Sequence, residues 1–139
     1  MKIEHFALNV AEPHKMANWY FQHLGLVAVS RMEQAPFTCF LADDSGDVMI
    51  EIYNNPPNQV PDYAAMDPLL CHIAFVSENP LDDANRLMKA GATWVTEVKP
   101  VVGTHLVMLR DPWGLAIQLC KRAQPMLQAG RHKLQAPKP

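Results

Sequence analysis

Residues 3–10 read Ile3-Glu4-His5-Phe6-Ala7-Leu8-Asn9-Val10, and residues 71–76 read Cys71-His72-Ile73-Ala74-Phe75-Val76. Set side by side on their histidines, both are alternating segments in which an alanine follows the histidine two places on. The offset that carries His5 onto His72 also carries Pro13 onto Pro80, Ala17 onto Ala84, Asp44 onto Asp111, Ile50 onto Ile117 and Glu51 onto Gln118. Identity between the halves is weak, yet the matches fall on prolines, a turn aspartate and polar strand residues, where residue type matters most. An internal duplication is therefore the first inference.

Working outward, each half reads as strand, helix, then three strands. From Ile3 to Val10 the chain alternates, Phe6, Leu8 and Val10 on one side and His5, Ala7 and Asn9 on the other, as a half-buried strand does. Pro13 stands where a first helical turn accepts proline, Met16, Trp19, Tyr20 and Leu24 recur at helical spacing, and Gly25 is placed to end the helix in a left-handed conformation. The second half repeats this grammar with a strand from Leu70 to Val76, Asn79 as N-cap, Pro80, a buried stripe of Leu81, Ala84, Leu87 and Met88, and Gly91 as the stop. Three further strands follow each helix: 26–31, 37–42 and 48–53, then 93–98, 105–110 and 115–120. The last two strands of each half are joined by the turns Asp43-Asp44-Ser45-Gly46-Asp47 and Asp111-Pro112-Trp113-Gly114. The expected fold is thus α+β, two tandem βαβββ modules at 1–53 and 69–122. Residues 54–68, with Pro56, Pro57, Pro61 and Pro68, form a semi-rigid linker, and 123–139 a partly ordered tail.

Composition narrows the function. The hydrophobic fraction of 49% and charged fraction of 19% are those of a globular protein. Twelve Lys plus Arg stand against fourteen Asp plus Glu, and five of those cations lie after residue 120 with no acid among them. The body lacks the basic excess that a phosphate backbone demands, so nucleic acid is not an expected partner. No apolar run reaches membrane-spanning length, and the chain starts directly on a strand pattern, so no membrane association is expected and the cytoplasm is the expected compartment. Cys39, Cys71 and Cys120 are odd in number and widely spaced, which suggests small core side chains instead of a disulfide framework or a structural zinc site.

Alternation also decides which way the matched polar residues point. Val48, Ile50 and Ile52 face one way and Glu51 the other; Leu115, Ile117 and Leu119 face one way and Gln118 the other. His5 and His72 likewise oppose their apolar neighbours, and the separation of His5 from Glu51 equals that of His72 from Gln118. A lone strand histidine is ordinarily a hydrogen-bonded, half-buried residue. Two histidines and a Glu/Gln pair at one repeat offset, on matching faces, point instead to a shared divalent metal. Two imidazoles, one carboxylate and one amide oxygen suit zinc, nickel, iron or manganese and leave a position open for a small-molecule substrate. His105, by alternation with Val107 and Leu109, either lines the cavity or lies at the surface.

The motifs quoted above, with Trp19-Tyr20 through Leu24-Gly25-Leu26, Met49-Ile50-Glu51-Ile52 and Asp111-Pro112-Trp113-Gly114-Leu115-Ala116-Ile117-Gln118-Leu119, resemble the vicinal oxygen chelate superfamily over roughly residues 1–122. That superfamily holds glyoxalases, bleomycin-resistance proteins and extradiol dioxygenases. The resemblance implies a cupped, eight-stranded mixed sheet with helices outside, a metal inside the cup and a homodimer. Glyoxalase I enzymes place ligands at the positions of His5, Glu51, His72 and Gln118, the last being commonly Glu. Gln118 can coordinate through its carbonyl oxygen but cannot accept and return a proton, which leaves Glu51 as the catalytic base. The expected function is a metal-dependent lyase or isomerase of glyoxalase type, acting on a substrate with vicinal oxygens. The alternatives are a ferrous dioxygenase using His5, His72 and Glu51, and a non-catalytic small-molecule or drug-binding protein.

Overall fold

The computed structural model describes residues 2–126. The chain runs β1 (His5–Asn9), α1 (Pro13–Leu24), β2 (Val27–Arg31), β3 (Cys39–Ala42), β4 (Met49–Tyr53), β5 (His72–Val76), α2 (Pro80–Lys89), β6 (Thr93–Val98), β7 (His105–Arg110) and β8 (Ala116–Lys121). This is βαβββ twice, divided into two compact units, Met1–Met66 and Asp67–Pro139. The eight strands form two four-stranded mixed sheets, ordered β1-β4-β3-β2 and β5-β8-β7-β6. In each, the first strand lies parallel to the last and the others pair antiparallel. The outer pair of each sheet carries a bulge, between Ala28 and Ser30 and between Trp94 and Thr96, one residue apart under the repeat offset, where a strand coils more strongly.

Each helix packs on one face of its own sheet. In α1, Met16, Ala17, Trp19 and Tyr20 are buried against β2, β3 and β4, and Gly25 takes φ 74°, the left-handed stop. In α2, Ala84 and Leu87 are buried, while Leu81 is exposed and Met88 half-buried, so the stripe is narrower than its spacing predicts. Asn79 occupies the N-cap of α2, but its amide bonds the Asp82 carboxylate and leaves the helix N–H groups to other partners. Ala90 is the C-cap, and Gly91 follows it at φ 101°. Beneath the helices lie Leu41, Ile50 and Ile52 in the first unit and Val107, Leu109, Ile117 and Leu119 in the second, all at most 7% exposed. Cys39 and Cys120 are core residues, whereas Cys71 is only half-buried.

The β7–β8 turn is organised by Asp111, which is 3% exposed: its Oδ1 accepts from the N–H groups of Trp113 and Leu115 at 2.9 and 3.0 Å. The proline-rich stretch after β4 contains neither helix nor strand, and its first part is bonded back onto the first unit. Tyr63, 7% exposed, gives its hydroxyl proton to the carbonyl of Asn9 at 2.9 Å. No helix among the described residues is long and apolar enough to cross a membrane. Beyond Met126 the expected basic tail lies outside the described residues.

Candidate metal centre

In the first unit His5 opens β1 and Glu51 sits at the middle of β4, which runs parallel beside it. His5 is registered opposite Met49 and Ala7 opposite Glu51, so the two side chains rise from one face on a diagonal. That face is opposite the helix, because Ile50 and Ile52 take the buried side. The His5 Nε2 and Glu51 Oε2 atoms are 3.3 Å apart. A charge-assisted N–H···O bond is shorter, about 2.7–2.9 Å. Two donors each about 2.1 Å from one ion and about 105° apart stand about 3.3 Å from one another. The spacing and the chemistry of this donor pair fit a divalent metal.

Both histidines are oriented through the other ring nitrogen. His5 Nδ1 contacts the Glu4 carboxylate, and its ring stands edge-on to Phe40 with centroids 5.6 Å apart. His72 Nδ1 lies 3.0 Å from the carbonyl oxygen of Pro68. A carbonyl only accepts, so Nδ1 of His72 carries the proton and, in the neutral ring, Nε2 keeps its lone pair for a ligand. Metal-binding histidines are held in this way by a carboxylate or carbonyl on the remote nitrogen. Glu4 raises the pKa of His5 through their hydrogen bond, and the charges of Glu4 and Glu51 add to that, against a smaller opposing effect of desolvation.

In the second unit the register is repeated: His72 lies opposite Ala116 and Ala74 opposite Gln118. His72 and Gln118 thus hold the same diagonal as His5 and Glu51. The Gln118 oxygen is turned along its own strand, accepting from the Cys120 thiol at 3.1 Å. The structure therefore pairs His5 with Glu51 directly, and gives His72 and Gln118 the equivalent strand positions. Within neither unit, among the described residues, do three His, Cys, Asp or Glu side chains gather closely enough to hold an ion by themselves.

His105 does not line this face. Val107 and Leu109, which share its side of β7, are registered with Leu119 and Ile117 beneath α2. His105 faces the helix side and bonds the Glu97 carboxylate at 2.7 Å, and Lys99 together with His105 holds that carboxyl below its ordinary range against the opposing effect of desolvation. Three participants at the candidate centre were missed by the sequence reading. Glu4 and Cys120 were within reach of it, one adjoining a candidate ligand and one sharing a strand face with another. The Pro68 carbonyl carries no side-chain signal at all.

Residues 2–119 match the model of the Glyoxalase/Bleomycin resistance protein/Dioxygenase superfamily. No curated protein matches the sequence significantly. Among solved structures, TnmS3, an antibiotic binding protein from Streptomyces sp. CB03234, is similar at 16% identity and a TM-score of 0.64, over 86% of this chain and 93% of that one. A glyoxalase family protein from Bacillus cereus is similar at 20% identity and 0.63, over 86% and 91%. A superfamily member from Sphaerobacter thermophilus DSM 20745 gives 14% and 0.66, over 88% and 98%. At these identities the structures speak to the fold alone. With the family match over most of its length and the twice-repeated βαβββ unit, this chain belongs to the Glyoxalase/Bleomycin resistance protein/Dioxygenase superfamily.

Proposed function

We propose that the protein is a metal-dependent enzyme of glyoxalase type, in which His5, Glu51, His72 and Gln118 together hold one divalent ion and Glu51 is the catalytic base. The observation that carries this reading is the 3.3 Å separation of His5 Nε2 and Glu51 Oε2, with the remote nitrogens of both histidines engaged as ligand histidines require. When bound, the ion supplies Lewis-acid polarisation of a substrate oxygen. His5 and His72 would present their Nε2 atoms to the ion. Glu51, half-buried on the open face of β4, takes a proton from the carbon beside the polarised carbonyl and returns it to the neighbouring carbon. Gln118 cannot carry a proton, so one carboxylate performs both transfers.

A second reading, a non-catalytic binding protein, is favoured by the similarity to an antibiotic binding protein. The two separate cleanly. Elemental analysis of protein purified without added metal, with nickel and zinc titrations, is expected to give one ion per site in the parent and loss of it in His5→Ala and His72→Ala. Unchanged stoichiometry in both variants removes the metal site. Loss of a hydroxy-ketone's α-proton into deuterated water, followed by NMR, is expected for the loaded parent. Its absence across small hydroxy-ketones and hemithioacetals leaves the binding reading standing.

A further inference from the structure

The duplication provides an internal control for a second feature, a cavity of about 340 Å³ at the carboxyl-terminal ends of β5 and β8. Its apolar wall is made by Val76, Cys120, Pro125 and Met126, and its polar edge by Glu78, Lys121 and Arg122. Shifted back by the repeat offset, Val76, Cys120, Lys121 and Arg122 become Asn9, Tyr53, Asn54 and Asn55. In the first unit those positions are tied to the chain by hydrogen bonds. Asn9 Nδ2 donates to the Pro56 carbonyl at 2.8 Å, the Asn55 N–H donates to Asn9 Oδ1 at 2.8 Å, and Asn54 Nδ2 donates to the Val10 carbonyl at 2.8 Å. In the second unit Val76, Lys121 and Arg122 stand in place of those amides, and among the described residues the cavity opens there.

We infer that this cavity binds a small organic anion with an apolar body, such as an aryl or alkyl carboxylate. Val76, 88% exposed within a strand, offers apolar surface that the described residues of its own unit do not cover. Lys121 gives one hydrogen to the Glu78 carbonyl at 2.9 Å and keeps two others. Arg122 is exposed and pairs with no carboxylate among the described residues. Against the single carboxylate of Glu78, the edge therefore holds an excess positive charge, and the guanidinium fork accepts a carboxylate in bidentate fashion. The volume lies at the small end of ligand pockets.

Part of the cavity wall shares the sheet face of His72 and Gln118, while Ser77 and Lys121 reach it from the helix side. Val76 is registered with Cys120, both alternate with His72, Ala74 and Gln118, and the Cys120 thiol bonds the Gln118 oxygen. An anion anchored on Arg122 lays its apolar part along Val76 and Cys120 toward Gln118. The inference thus names the class of substrate for the proposed site, and to that extent rests on that reading; binding of the anion does not.

The protein is titrated calorimetrically with 3-phenylpropionate, octanoate and the isosteric neutral 3-phenylpropionamide, with metal content measured on the same samples. Saturable binding of at least one carboxylate is expected, at least tenfold tighter than the amide and weakening as salt rises. Arg122→Asn, the residue of the equivalent position in the first unit, is expected to remove that preference at unchanged metal content, and Arg122→Lys to restore part of it. Equal binding of acid and amide, an unaltered preference in Arg122→Asn, or no saturable binding of either carboxylate overturns the inference. Anion binding in a parent that takes up no metal overturns the metal reading and leaves the cavity assignment standing; metal uptake without anion binding does the reverse.

Discussion

The two units share a chain path and a strand register, yet they have diverged where chemistry is concentrated. The first places a carboxylate, Glu51, 3.3 Å from its histidine; the second places an amide, Gln118, whose oxygen is turned to a thiol. Beneath the helices the divergence runs the other way. Val10 and Met16 of the first unit are apolar and at most 1% exposed. Their counterparts Ser77 and Asp83 form a hydrogen bond of 2.6 Å from hydroxyl to carboxylate. The backbone template tolerates such exchanges because register and helix docking are set by the apolar alternation, which both halves keep. Residues on the open face are then free to specialise.

The largest test of this asymmetry is Glu51→Gln beside Gln118→Glu. The first is expected to lower α-proton exchange by about 10²- to 10⁴-fold, the range of a general base, and the second to keep or raise metal affinity without loss of rate. Equal losses in both would show that the units contribute alike and that Glu51 is not the sole base.

Next in size are the matched core positions Tyr20 and Leu87, both wholly buried. Tyr20→Ala is expected to cost about 3–5 kcal/mol and Leu87→Ala about 2–5 kcal/mol, read from urea midpoints. A cost below about 1 kcal/mol at either position would mean that its helix is not docked as described.

Glu4→Gln is expected to weaken metal binding by about 10- to 100-fold, the usual consequence of removing an outer partner of a ligand histidine. His72, held by a backbone carbonyl, has no side chain whose substitution would do the same. Titration with cobalt, whose visible spectrum reports ligand geometry, separates a positioning role from a general loss of charge.

The smallest effect concerns acid stability. Burial pushes the Asp83 carboxyl up, but the hydrogen bonds from Ser77 and Arg86 and the Arg86 charge outweigh it and leave the pKa lowered. A carboxyl that titrates lower in the folded chain contributes its full stability above the unfolded value, about pH 4, and loses it as the pH falls through the folded value. Ser77→Val with Asp83→Met, the pair found in the first unit, is expected to flatten that acid limb. The single change Ser77→Ala costs about 1 kcal/mol at neutral pH. Thermal melts from pH 3 to 7 report both.

How much of this was legible beforehand differs from residue to residue. His5, Glu51, His72 and Gln118 could be set on one kind of sheet face from alternation alone, because strand side chains alternate with period two wherever one face is buried. For His105 alternation left two placements open, the cavity and the surface. It gave the residue's side of β7 correctly, as that of Val107 and Leu109, but only the pairing with Leu119 and Ile117 reveals that this side lies under α2. Leu81 belongs to the helical stripe by spacing and is nevertheless exposed, since the width of a buried stripe depends on the sheet beneath it.

The duplication, the βαβββ order and the matched polar positions are written in the order of residues, because local periodicity and one constant offset between the halves encode them. The 3.3 Å approach of His5 to Glu51, the backbone carbonyl that fixes His72, and the cavity at the ends of β5 and β8 arise only in the folded chain. Each of these is a meeting of atoms from distant segments or from the main chain, and no pattern of side chains along one strand encodes where such atoms arrive.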